Sequence, residues 1–235
     1  MKEALKKAVQ GAAMWAVVVA GFALSWPPIL QLAQLWMLVG VGIAANALQP
    51  AYRPFERSRT PEDRGTAIQI LWTVYAVQIG ALIEVILRRR AELPLDAVSI
   101  GAFVVMVAGL ALRTWAVLLL GRFFTWNVSV QPGQTLVRSG PYRCVRHPSY
   151  TGALLTFLFG CVLLHSWIAA GVAAVALPIA FRRRIRHEED LLLATLPEYA
   201  AYRTRTGALF PRLFAASAAI AADPDRREPD SREPD

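Results

Sequence analysis

The stretch TGALLTFLFGCVLLHSWIAAGVAAVALPIAF, residues 151–181, is the part of this 235-residue sequence that most restricts its fold. It holds 31 residues without a charged side chain. A helix needs about 20 predominantly apolar residues to cross a bilayer, so this stretch is long for one span and short for two. His165 and Ser166 lie in its middle and favour a helical hairpin whose arms barely cross the membrane.

Three further apolar blocks complete the predicted architecture. Residues 8–48 contain no charged side chain and are long enough for two spans, which turn at the Trp-Pro-Pro sequence of residues 26–28. Proline breaks a helix and restricts the residue before it, so we expect the turn there. Residues 67–87 and 98–120 each hold one charge and predict one span apiece. The sequence therefore predicts an all-α polytopic membrane bundle with about five to six transmembrane segments, the last of them a hairpin.

Two of these blocks contain a single charged residue each, Glu84 and Arg113. A charge inside a bilayer is costly and usually faces a protein interior or a cavity. Glu84 is close to the end of its block, and we expect it to reach the interface. For Arg113, which is seven residues from the end of its block, the sequence supports two roles equally: extension to the interface, or a place beside a polar pocket.

Basic residues in the loops predict the orientation of the bundle. Cytoplasmic loops carry an excess of lysine and arginine, and here basic clusters occur at the N-terminus and after each second span. This rule places the N-terminus, the loop after the first hairpin, residues 121–150 and residues 182–206 in the cytoplasm. One cluster, Arg88-Arg89-Arg90, disagrees because it falls on the outer side. The clusters that agree contain Lys2, Lys6, Lys7, Arg53, Arg57, Arg59, Arg64, Arg122, Arg138, Arg143, Arg146, Arg182, Arg183, Arg184 and Arg186.

Composition excludes several classes of protein. Hydrophobic residues make up 55% of the chain and charged residues only 18%, against about 25% in soluble domains, which argues against an ordinary soluble enzyme. Two cysteines and three scattered histidines are too few for a disulfide framework or a dedicated metal centre. The net charge of +8 is distributed between apolar runs, so the expected partner is a lipid bilayer rather than nucleic acid. The bias toward arginine and alanine is typical of a GC-rich bacterial sequence, and we expect an inner-membrane location.

The chain divides into three predicted regions. Residues 1–66 form an N-terminal transmembrane hairpin with its loop, and residues 67–214 form the core. Residues 215–235 form a charged tail that includes the repeat Arg-Glu-Pro-Asp, and we expect this tail to be disordered because it has no apolar face. Nothing in the sequence predicts the oligomeric state.

Two polar segments flank the last apolar hairpin and contain the candidate chemistry. Residues 121–150 are rich in turn formers, and residues 182–206 predict an amphipathic helix at the membrane face. Thr195 and Glu198 resemble a capping box, which predicts that a helix restarts at Pro197. The hairpin returns both segments to one side of the membrane, where the acids Glu188 and Glu189 would lie near the aromatic and basic residues of the loop. Such a mixture suits a cationic ligand with a ribose and an aromatic base.

Simpler interpretations of the same residues remain open at this point. The basic loop is explained by the positive-inside rule alone. Glu188 and Glu189 fit a solvated helix face that pairs with Arg184 four residues away. His147 precedes a proline and fits a turn residue, and Cys144 fits a plain loop residue.

The sequence GPYRCVRHPSYTG of residues 140–152, the apolar hairpin after it and the pair Glu188-Glu189 together resemble the isoprenylcysteine carboxyl methyltransferase family. The signature of that family is an Arg-His-Pro-x-Tyr-x-Gly stretch, a hydrophobic hairpin and a Glu-Glu pair. The resemblance extends from about Gly109 to Pro211, which is roughly the C-terminal half of the chain. It implies an integral membrane enzyme that uses S-adenosylmethionine without a Rossmann domain, and no G-x-G-x-x-G motif follows a predicted strand here.

The resemblance also implies a cofactor pocket on the cytoplasmic side of the membrane. Arg184 matches the substrate-contacting arginine of the family and is the implied catalytic residue. Gln134 occupies a position where the family often has histidine, and Asn127 is a further candidate for cofactor contact. The residues implied to bind the cofactor are Gln134, Thr135, Leu136, Val137, Tyr142, His147, Pro148, Ser149, Tyr150 and Glu188.

The implied reaction is carboxyl O-methylation of a lipid-modified, isoprenylcysteine-like acceptor at the cytoplasmic face. A carboxylate is ionised at pH 7 and needs no general base. A phospholipid amine or a small thiol is the alternative acceptor; it would need a base, for which Glu189 and His187 are candidates. Two readings from other classes are an NADPH-dependent reductase of the sterol-reductase architecture and a non-enzymatic membrane scaffold.

Overall fold

The computed structural model describes residues 2–50, 63–88 and 93–212. The tail predicted for residues 215–235 lies outside this described part. So do five arginines used in the orientation argument, namely Arg53, Arg57, Arg59, Arg89 and Arg90.

The described chain is built from α-helices. Its one β-bridge is an isolated parallel pairing of Val145 with Gly207, and no strand is present in the described ranges. The prediction of an all-α fold is therefore confirmed. The α-helices are α1 Lys2–Ser25, α2 Ala33–Leu48, α3 Thr66–Leu87, α4 Ala97–Leu120, α5 Pro148–Leu163, α6 Trp167–Thr195 and α7 Tyr199–Arg205.

Three helices of the described chain are long and apolar enough to cross a membrane: α1, α3, and α4 with the short 3-10 helix that extends it to Phe123. Helices α2 and α5 are apolar but have only 16 residues each. Helix α6 is apolar from Trp167 to Phe181 and then becomes strongly charged. The membrane bundle is thus confirmed as six apolar helices, of which three reach full length.

Both predicted turns are found where the sequence placed them. A 3-10 helix over Pro27–Gln31 separates α1 from α2. His165 and Ser166 separate α5 from α6, and His165 adopts a positive φ of 50°. The Ser166 hydroxyl donates to the carbonyl oxygen of Ala81 at 2.8 Å, which ties this turn to α3.

Glu84 corrects one expectation. It lies near the end of α3, but it is only 8% exposed and packs against α6 instead of reaching the surface. Its carboxylate accepts the backbone N–H groups of Ile168 at 3.4 Å and Ala169 at 3.0 Å, and it pairs with Arg88 at 3.0 Å. The first N–H groups of a helix lack partners within the helix, so a buried carboxylate at this place stabilises the start of α6.

Helices α4 and α5 touch backbone to backbone at two glycines. A Cβ atom added to Gly152 would lie 2.4 Å from the carbonyl oxygen of Gly109, and one added to Gly109 would lie 2.8 Å from that of Gly152. Only glycine allows this approach. The glycine that ends the Arg-His-Pro-x-Tyr-x-Gly motif is therefore required by packing, which places the start of α5 against the middle of α4.

The ends of the helices form two separate polar layers. At one end, Lys7 donates to the carbonyl oxygen of Gln49 at 3.2 Å, and Trp126 donates to that of Pro50 at 3.1 Å. At the other end, His165 contacts Ser99 at 3.0 Å and Asp96 at 3.3 Å. The N-terminus and the loops after α2 and α4 therefore share one end of the bundle, as the loop charges predicted, whereas Arg88 lies toward the other.

The predicted helix restart at Pro197 is wrong by two residues. Helix α7 begins at Tyr199 with Glu198 at its cap position, where no side-chain hydrogen bond is made. The Thr195 hydroxyl donates back to the carbonyl oxygen of Leu191 at 2.8 Å. Because Thr195 is still inside α6, its side chain satisfies an acceptor of that helix and forms no capping box.

Candidate active site

A cavity of about 640 Å³ opens at the end of the bundle that holds the N-terminus. Its volume is within the range of about 300–1,000 Å³ that is usual for small-molecule sites. Pro148 is not among its lining residues; it occupies the first turn of α5, where proline needs no N–H partner. The other predicted site residues line the cavity: Asn127, Gln134, Thr135, Leu136, Val137, Tyr142, His147, Ser149, Tyr150, Arg184 and Glu188.

A C-terminal stretch that the sequence reasoning missed holds the Arg-His-Pro loop in place. The backbone N–H of Arg146 donates to Gly207 at 2.8 Å, and that of His147 donates to Ala208 at 3.0 Å. The Thr151 hydroxyl donates to the carbonyl oxygen of Leu209 at 2.7 Å. The sequence gives no signal for this pairing. The pairing is too short to form a strand with an alternating pattern, and the paired residues are about 60 positions apart in the chain.

Glu189 is the centre of a buried charge cluster. Its carboxylate accepts from Arg146 Nε at 2.7 Å, from His147 Nε2 at 3.1 Å and from Arg203 Nε at 3.1 Å. Arg146 also donates to the backbone carbonyl oxygens of Arg203 and Thr206. Burial alone would raise the pKa of Glu189, but the bonds from His147 and Arg146 outweigh it and lower the pKa to about 2. Glu189 is therefore ionised and fully used in joining α5, α6 and α7.

His147 lies between the two glutamates. Its Nδ1 is 3.5 Å from Glu188 Oε2, and its Nε2 is 3.1 Å from Glu189 Oε1. Burial lowers the pKa of His147, but hydrogen bonds and charge attraction from both carboxylates reverse this effect and raise it above its ordinary value. For Glu188, burial raises the pKa, and the bond from His147 with the charge of Arg184 brings it below its ordinary value. The geometry therefore favours an imidazolium between two carboxylates.

Tyr150 connects this cluster with Arg184. The Tyr150 hydroxyl donates to Glu188 Oε1 at 2.6 Å and accepts from Arg184 Nε at 2.6 Å. Its ring stacks on Phe181 with a centroid distance of 5.3 Å. Tyr150 of α5 and Arg184 of α6, one from each arm of the hairpin, thus hold the carboxylate of Glu188 in the wall of the cavity.

Arg184 is buried, with 3% exposure, and all three of its nitrogen atoms have protein partners. Besides Tyr150, they bind Glu188 Oε1 at 3.3 Å, Asp63 Oδ1 at 2.6 Å, the Thr66 hydroxyl at 3.2 Å and the carbonyl oxygen of Trp126 at 2.6 Å. The pairing of Arg184 with Glu188 is the one that their spacing of four residues predicted. Asp63 is a site residue that the sequence reasoning missed. It precedes Arg184 by 121 residues, and no spacing rule connects a loop acid with an arginine at that distance.

Arg113 lies on α4 in the wall of the cavity. Its Nη1 donates to the carbonyl oxygen of Ser149 at 3.1 Å, and its guanidinium carbon lies 5.5 Å from the ring centre of Trp126. Of the two roles that the sequence allowed for Arg113, the structure favours the place beside a polar pocket.

The loop residues that line the cavity are held by local bonds. Gln134 accepts the backbone N–H of Gln131 at 2.9 Å, which closes a turn. Tyr142 donates to the carbonyl oxygen of Ala116 at 3.3 Å and accepts at its own carbonyl from Tyr202 at 2.7 Å. The loop is thereby attached to both α4 and α7.

A second limb of the cavity runs between the membrane helices. It is lined by α1, α2, α3 and α4, whose contributions are mainly apolar. The same cavity is also lined by Arg113, Arg184 and Glu188, so it joins an ionic region to an apolar interior. Among its lining residues are Met14, Trp15, Val18, Leu38, Val41, Ile70, Val74, Leu82, Met106 and Leu110.

Comparison with known proteins shows which family the region around this site resembles. The model of the isoprenylcysteine carboxyl methyltransferase family matches residues 102–194, so the resemblance found in the sequence is confirmed over this region. Among curated relatives, the cobalt-zinc-cadmium resistance protein CzcN of Cupriavidus metallidurans is 40% identical over 86 residues, or 37% of this chain and 40% of that protein. Protein-S-isoprenylcysteine O-methyltransferase A of Arabidopsis thaliana is 33% identical over 97 residues, or 40% of this chain and 49% of that protein.

The matched regions span less than two thirds of these relatives' own length. The uncharacterized protein YpbQ of Bacillus subtilis is 28% identical over 93 residues, which is 55% of its length. A solved structure of the eukaryotic intramembrane Ras methyltransferase has a similar fold, with a TM-score of 0.52 at 23% identity, covering 75% of this chain and 63% of that chain.

Proposed function

Since residues 102–194 match a family of membrane methyltransferases, we propose that this protein transfers a methyl group from S-adenosylmethionine to the carboxylate of a lipophilic, isoprenylcysteine-like acceptor. One observation carries this proposal: the cavity joins a charged end at the helix termini to an apolar limb between membrane helices. A soluble cofactor and a lipid-borne acceptor can therefore meet in one cavity, each entering from its own phase.

The residues at the charged end fit the cofactor. Glu188 is ionised and oriented by Tyr150 and His147, and a carboxylate suits a ribose diol or an adjacent positive charge. Gln134 and the loop backbone after it supply hydrogen-bonding groups, while Leu136 supplies apolar surface. When bound, the cofactor would supply an electrophilic methyl group on its sulfonium: the acceptor oxygen would bond to that methyl carbon as the carbon–sulfur bond breaks and S-adenosylhomocysteine leaves. The protein must hold the two reacting groups in line.

The protonation of the cluster supports a carboxylate acceptor over an amine or a thiol. An amine or thiol must lose a proton, and an efficient base has a pKa near the working pH. Glu189 has a pKa of about 2 and is bound by three cationic side chains, so it is a poor base. His147 already shares its protons with both glutamates. His187, the other candidate base, does not line the cavity. A carboxylate is ionised at pH 7 and needs none of these groups.

Arg113 is the residue that we assign to orienting the acceptor carboxylate. Within the described residues, its contacts are one carbonyl oxygen and one aromatic face, so its guanidinium retains donors for a ligand. Arg184, which the family resemblance implied for this role, is committed to Asp63, Thr66 and Trp126. We therefore assign Arg184 a positioning role: it fixes Tyr150 and also Glu188, whose Oε1 lies 3.3 Å from Arg184 Nε.

The cytoplasmic position of the site and the bacterial inner membrane belong to the same proposal. The end of the bundle that holds the cavity also holds Lys7 and the arginines of α6, which supports a cytoplasmic orientation. Two bacterial relatives are named as metal resistance proteins. The acceptor that we propose for this chain is a lipophilic carboxylate of the cell's own membrane or a lipidated peptide.

A methyl-transfer assay tests the proposal. Protein purified in detergent is supplied with methyl-tritiated S-adenosylmethionine and an S-prenylated N-acetylcysteine, and volatile methanol is released from the product by base. With the wild type we expect the label to be released by base. For Arg113→Lys we expect a 10- to 100-fold lower kcat/KM, because the loss of a hydrogen bond to a charged group costs about 1.5–3 kcal/mol. The matched control is Arg122→Lys, an exposed arginine of the same end. Label that resists base would contradict a carboxylate acceptor.

A further inference from the structure

Gln78 is a polar residue in the middle of a helix that is long enough to span the membrane. It lies twelve residues after the start of α3 at Thr66 and nine residues before the end of α3 at Leu87. Its side chain is partly buried and lines the apolar limb of the cavity. A carboxamide is costly in the hydrocarbon region of a bilayer, so a residue of this kind needs a partner from the protein or from a ligand.

The protein supplies only a weak partner to this side chain within the described residues. The Cys161 thiol lies 3.7 Å from Gln78 Oε1 and divides its donation with the carbonyl oxygen of Phe157 at 3.5 Å. A thiol is a weak donor. Gln78 Nε2 has no hydrogen-bond partner in this part of the chain, and it keeps accessible surface in the cavity wall. Its N–H groups are therefore available to a ligand.

Two threonines of the neighbouring helix surfaces show what a purely structural polar residue does here. The Thr73 hydroxyl donates to the carbonyl oxygen of Gln69 at 2.8 Å, and the Thr156 hydroxyl donates to that of Gly152 at 2.8 Å. Both hydroxyl groups are satisfied by the backbone of their own helix. Gln78 differs, because no backbone group accepts from its amide, and helix packing alone does not account for it.

The level of the Gln78 amide along the bundle is set by a glycine of α5. A Cβ atom added to Gly160 would lie 3.1 Å from Gln78 Nε2, so the glycine leaves room for the amide against this helix. Arg113, to which we assign the acceptor carboxylate, donates to the carbonyl oxygen of Ser149, which is eleven residues earlier in α5. At about 1.5 Å per helical residue, the two levels are about 16 Å apart.

The cavity wall between these two levels is largely apolar. Leu110 and Met106 contribute to it from α4, and Phe157 contributes from α5. An acceptor whose carboxylate meets Arg113 would therefore extend its tail past apolar side chains and reach an amide donor. Each bond of an extended chain advances about 1.2 Å, so the amide lies about 13 bonds from the carboxylate.

We propose that Gln78 selects an acceptor whose apolar tail carries one oxygen atom, and that Gln78 Nε2 donates a hydrogen bond to this oxygen. This inference rests on the proposed methylation of a lipophilic carboxylate. A tail made only of hydrocarbon would cover the amide and leave it unbonded, which is unfavourable. An ether, hydroxyl or keto oxygen at the right distance accepts from it. The substrate class is thereby narrowed to lipophilic carboxylates with an oxygen-bearing tail.

A series of S-alkylated N-acetylcysteines of equal chain length tests this assignment. One member has a chain of methylenes only, and in each other member one methylene is replaced by an ether oxygen at a different position. The ether compounds differ only in that position, so their polarity and their partition into detergent are matched. With purified wild type and labelled S-adenosylmethionine, we expect the oxygen about 13 bonds from the carboxyl carbon to give a kcat/KM about 3- to 10-fold above that of the other positions, as fits one neutral hydrogen bond.

In Gln78→Leu this preference should disappear, because leucine offers no donor. Thr73→Val is the matched control on the same helix: its hydroxyl bonds to Gln69 and it does not line the cavity, so the preference should persist.

A wild type that prefers no position or one far from this distance, or a preference that persists in Gln78→Leu, would overturn the inference. The wild-type series decides the question even when Gln78→Leu does not fold. Methylation of S-prenylated N-acetylcysteine without any positional preference among the ethers would leave the proposed function intact. Absence of methyl transfer to every compound would refute both proposals.

Discussion

At the scale of single residues, the site depends on charged side chains whose partners are far away in the sequence. Arg184 joins the loop before α3, the loop after α4 and the start of α5 through Asp63, Trp126 and Tyr150. Breaking a buried charge pair by removing one partner typically costs about 3–5 kcal/mol. These contacts therefore hold Glu188 in place, and in our proposal most of these residues act on the ligand through their neighbours.

His147 gives a prediction about pH at the same scale. Its pKa is raised in the folded protein, so the stability that its charge contributes is complete below its unfolded pKa of about 6.5 and disappears as the pH rises through the folded pKa. The wild type should therefore exceed His147→Asn in unfolding temperature by a wide margin at pH 6, and the margin should narrow toward pH 9.

Thermal unfolding in detergent, followed by tryptophan fluorescence across this pH range, measures the margin. Glu188 and Glu189 do not affect this measurement. Because their pKa values are lowered in the folded protein, the stability that they contribute is complete above about pH 4.5 and is lost only at more acidic pH. A margin that is constant from pH 6 to pH 9 would mean that His147 is neutral in the folded protein.

Sequence reasoning named residues that the structure brings to one cavity, but it did not predict the contacts between them. His147, Tyr150 and Glu188 were implied by a short motif and an acidic pair, and all three line one cavity. Asp63 carried no local signal. Its significance comes from its contact with Arg184, which exists only after folding.

At the scale of helices, the lengths of apolar runs and the positions of prolines predicted the helices and the first turn correctly. The capping signal predicted the start of α7 less accurately. The hairpin turn at His165 and Ser166 was predicted because polar residues interrupt a long apolar run. The restart at Pro197 was wrong because Thr195 satisfies the carbonyl of Leu191 inside α6. A capping motif competes with the helix that precedes it, and the sequence alone does not show which one prevails.

The contact of α4 with α5 gives a prediction at this scale. Gly152→Ala places a methyl group within 2.4–2.9 Å of Gly109 and Arg113, so the helices must separate. Overpacking of this kind costs about 1–3 kcal/mol, and the unfolding temperature should fall accordingly. The separation would also move Arg113, so kcat/KM for the acceptor should fall with it.

The control for this variant is Gly171→Ala on α6, where a Cβ atom meets no neighbour within 4 Å. Alanine favours a helix over glycine by about 1 kcal/mol, so this substitution should leave the stability unchanged or raise it. If both variants unfold at the wild-type temperature, the close approach of α4 and α5 does not exist in the folded protein.

At the scale of the whole molecule, alternating spans bring four separate segments to one end of the bundle. The charge of the loops predicted this arrangement, and the contacts of Lys7, Trp126 and Arg184 are consistent with it. The shape of the cavity could not be predicted, because its apolar limb arises from the packing of four helices whose sequences are uniformly hydrophobic. The sequence of such a helix predicts that it crosses a membrane, but it does not predict which of its faces packs against a neighbouring helix.

The orientation of the molecule is testable with a cysteine that it already has. Cys144 is exposed at the end that holds the cavity, whereas Cys161 is buried. A membrane-impermeant maleimide should label Cys144 in inverted vesicles and leave it unlabelled in right-side-out vesicles. Leu95→Cys, at the opposite end and half exposed, should show the reverse pattern in a Cys144→Ser background. Labelling of Cys144 from the outside would place the site on the external face.

The central claim is that residues on both sides of the α5–α6 hairpin together hold S-adenosylmethionine, and calorimetric titration of S-adenosylhomocysteine tests it most directly. The wild type should bind one equivalent with a Kd in the micromolar to millimolar range. Tyr150→Phe from one side and Glu188→Gln from the other should each weaken binding about 10-fold or more, as expected for hydrogen bonds to charged groups. Asp190→Asn, an exposed neighbour of the acidic pair, should bind like the wild type. A wild type without saturable binding, or variants of only one side with weakened binding, would contradict the account.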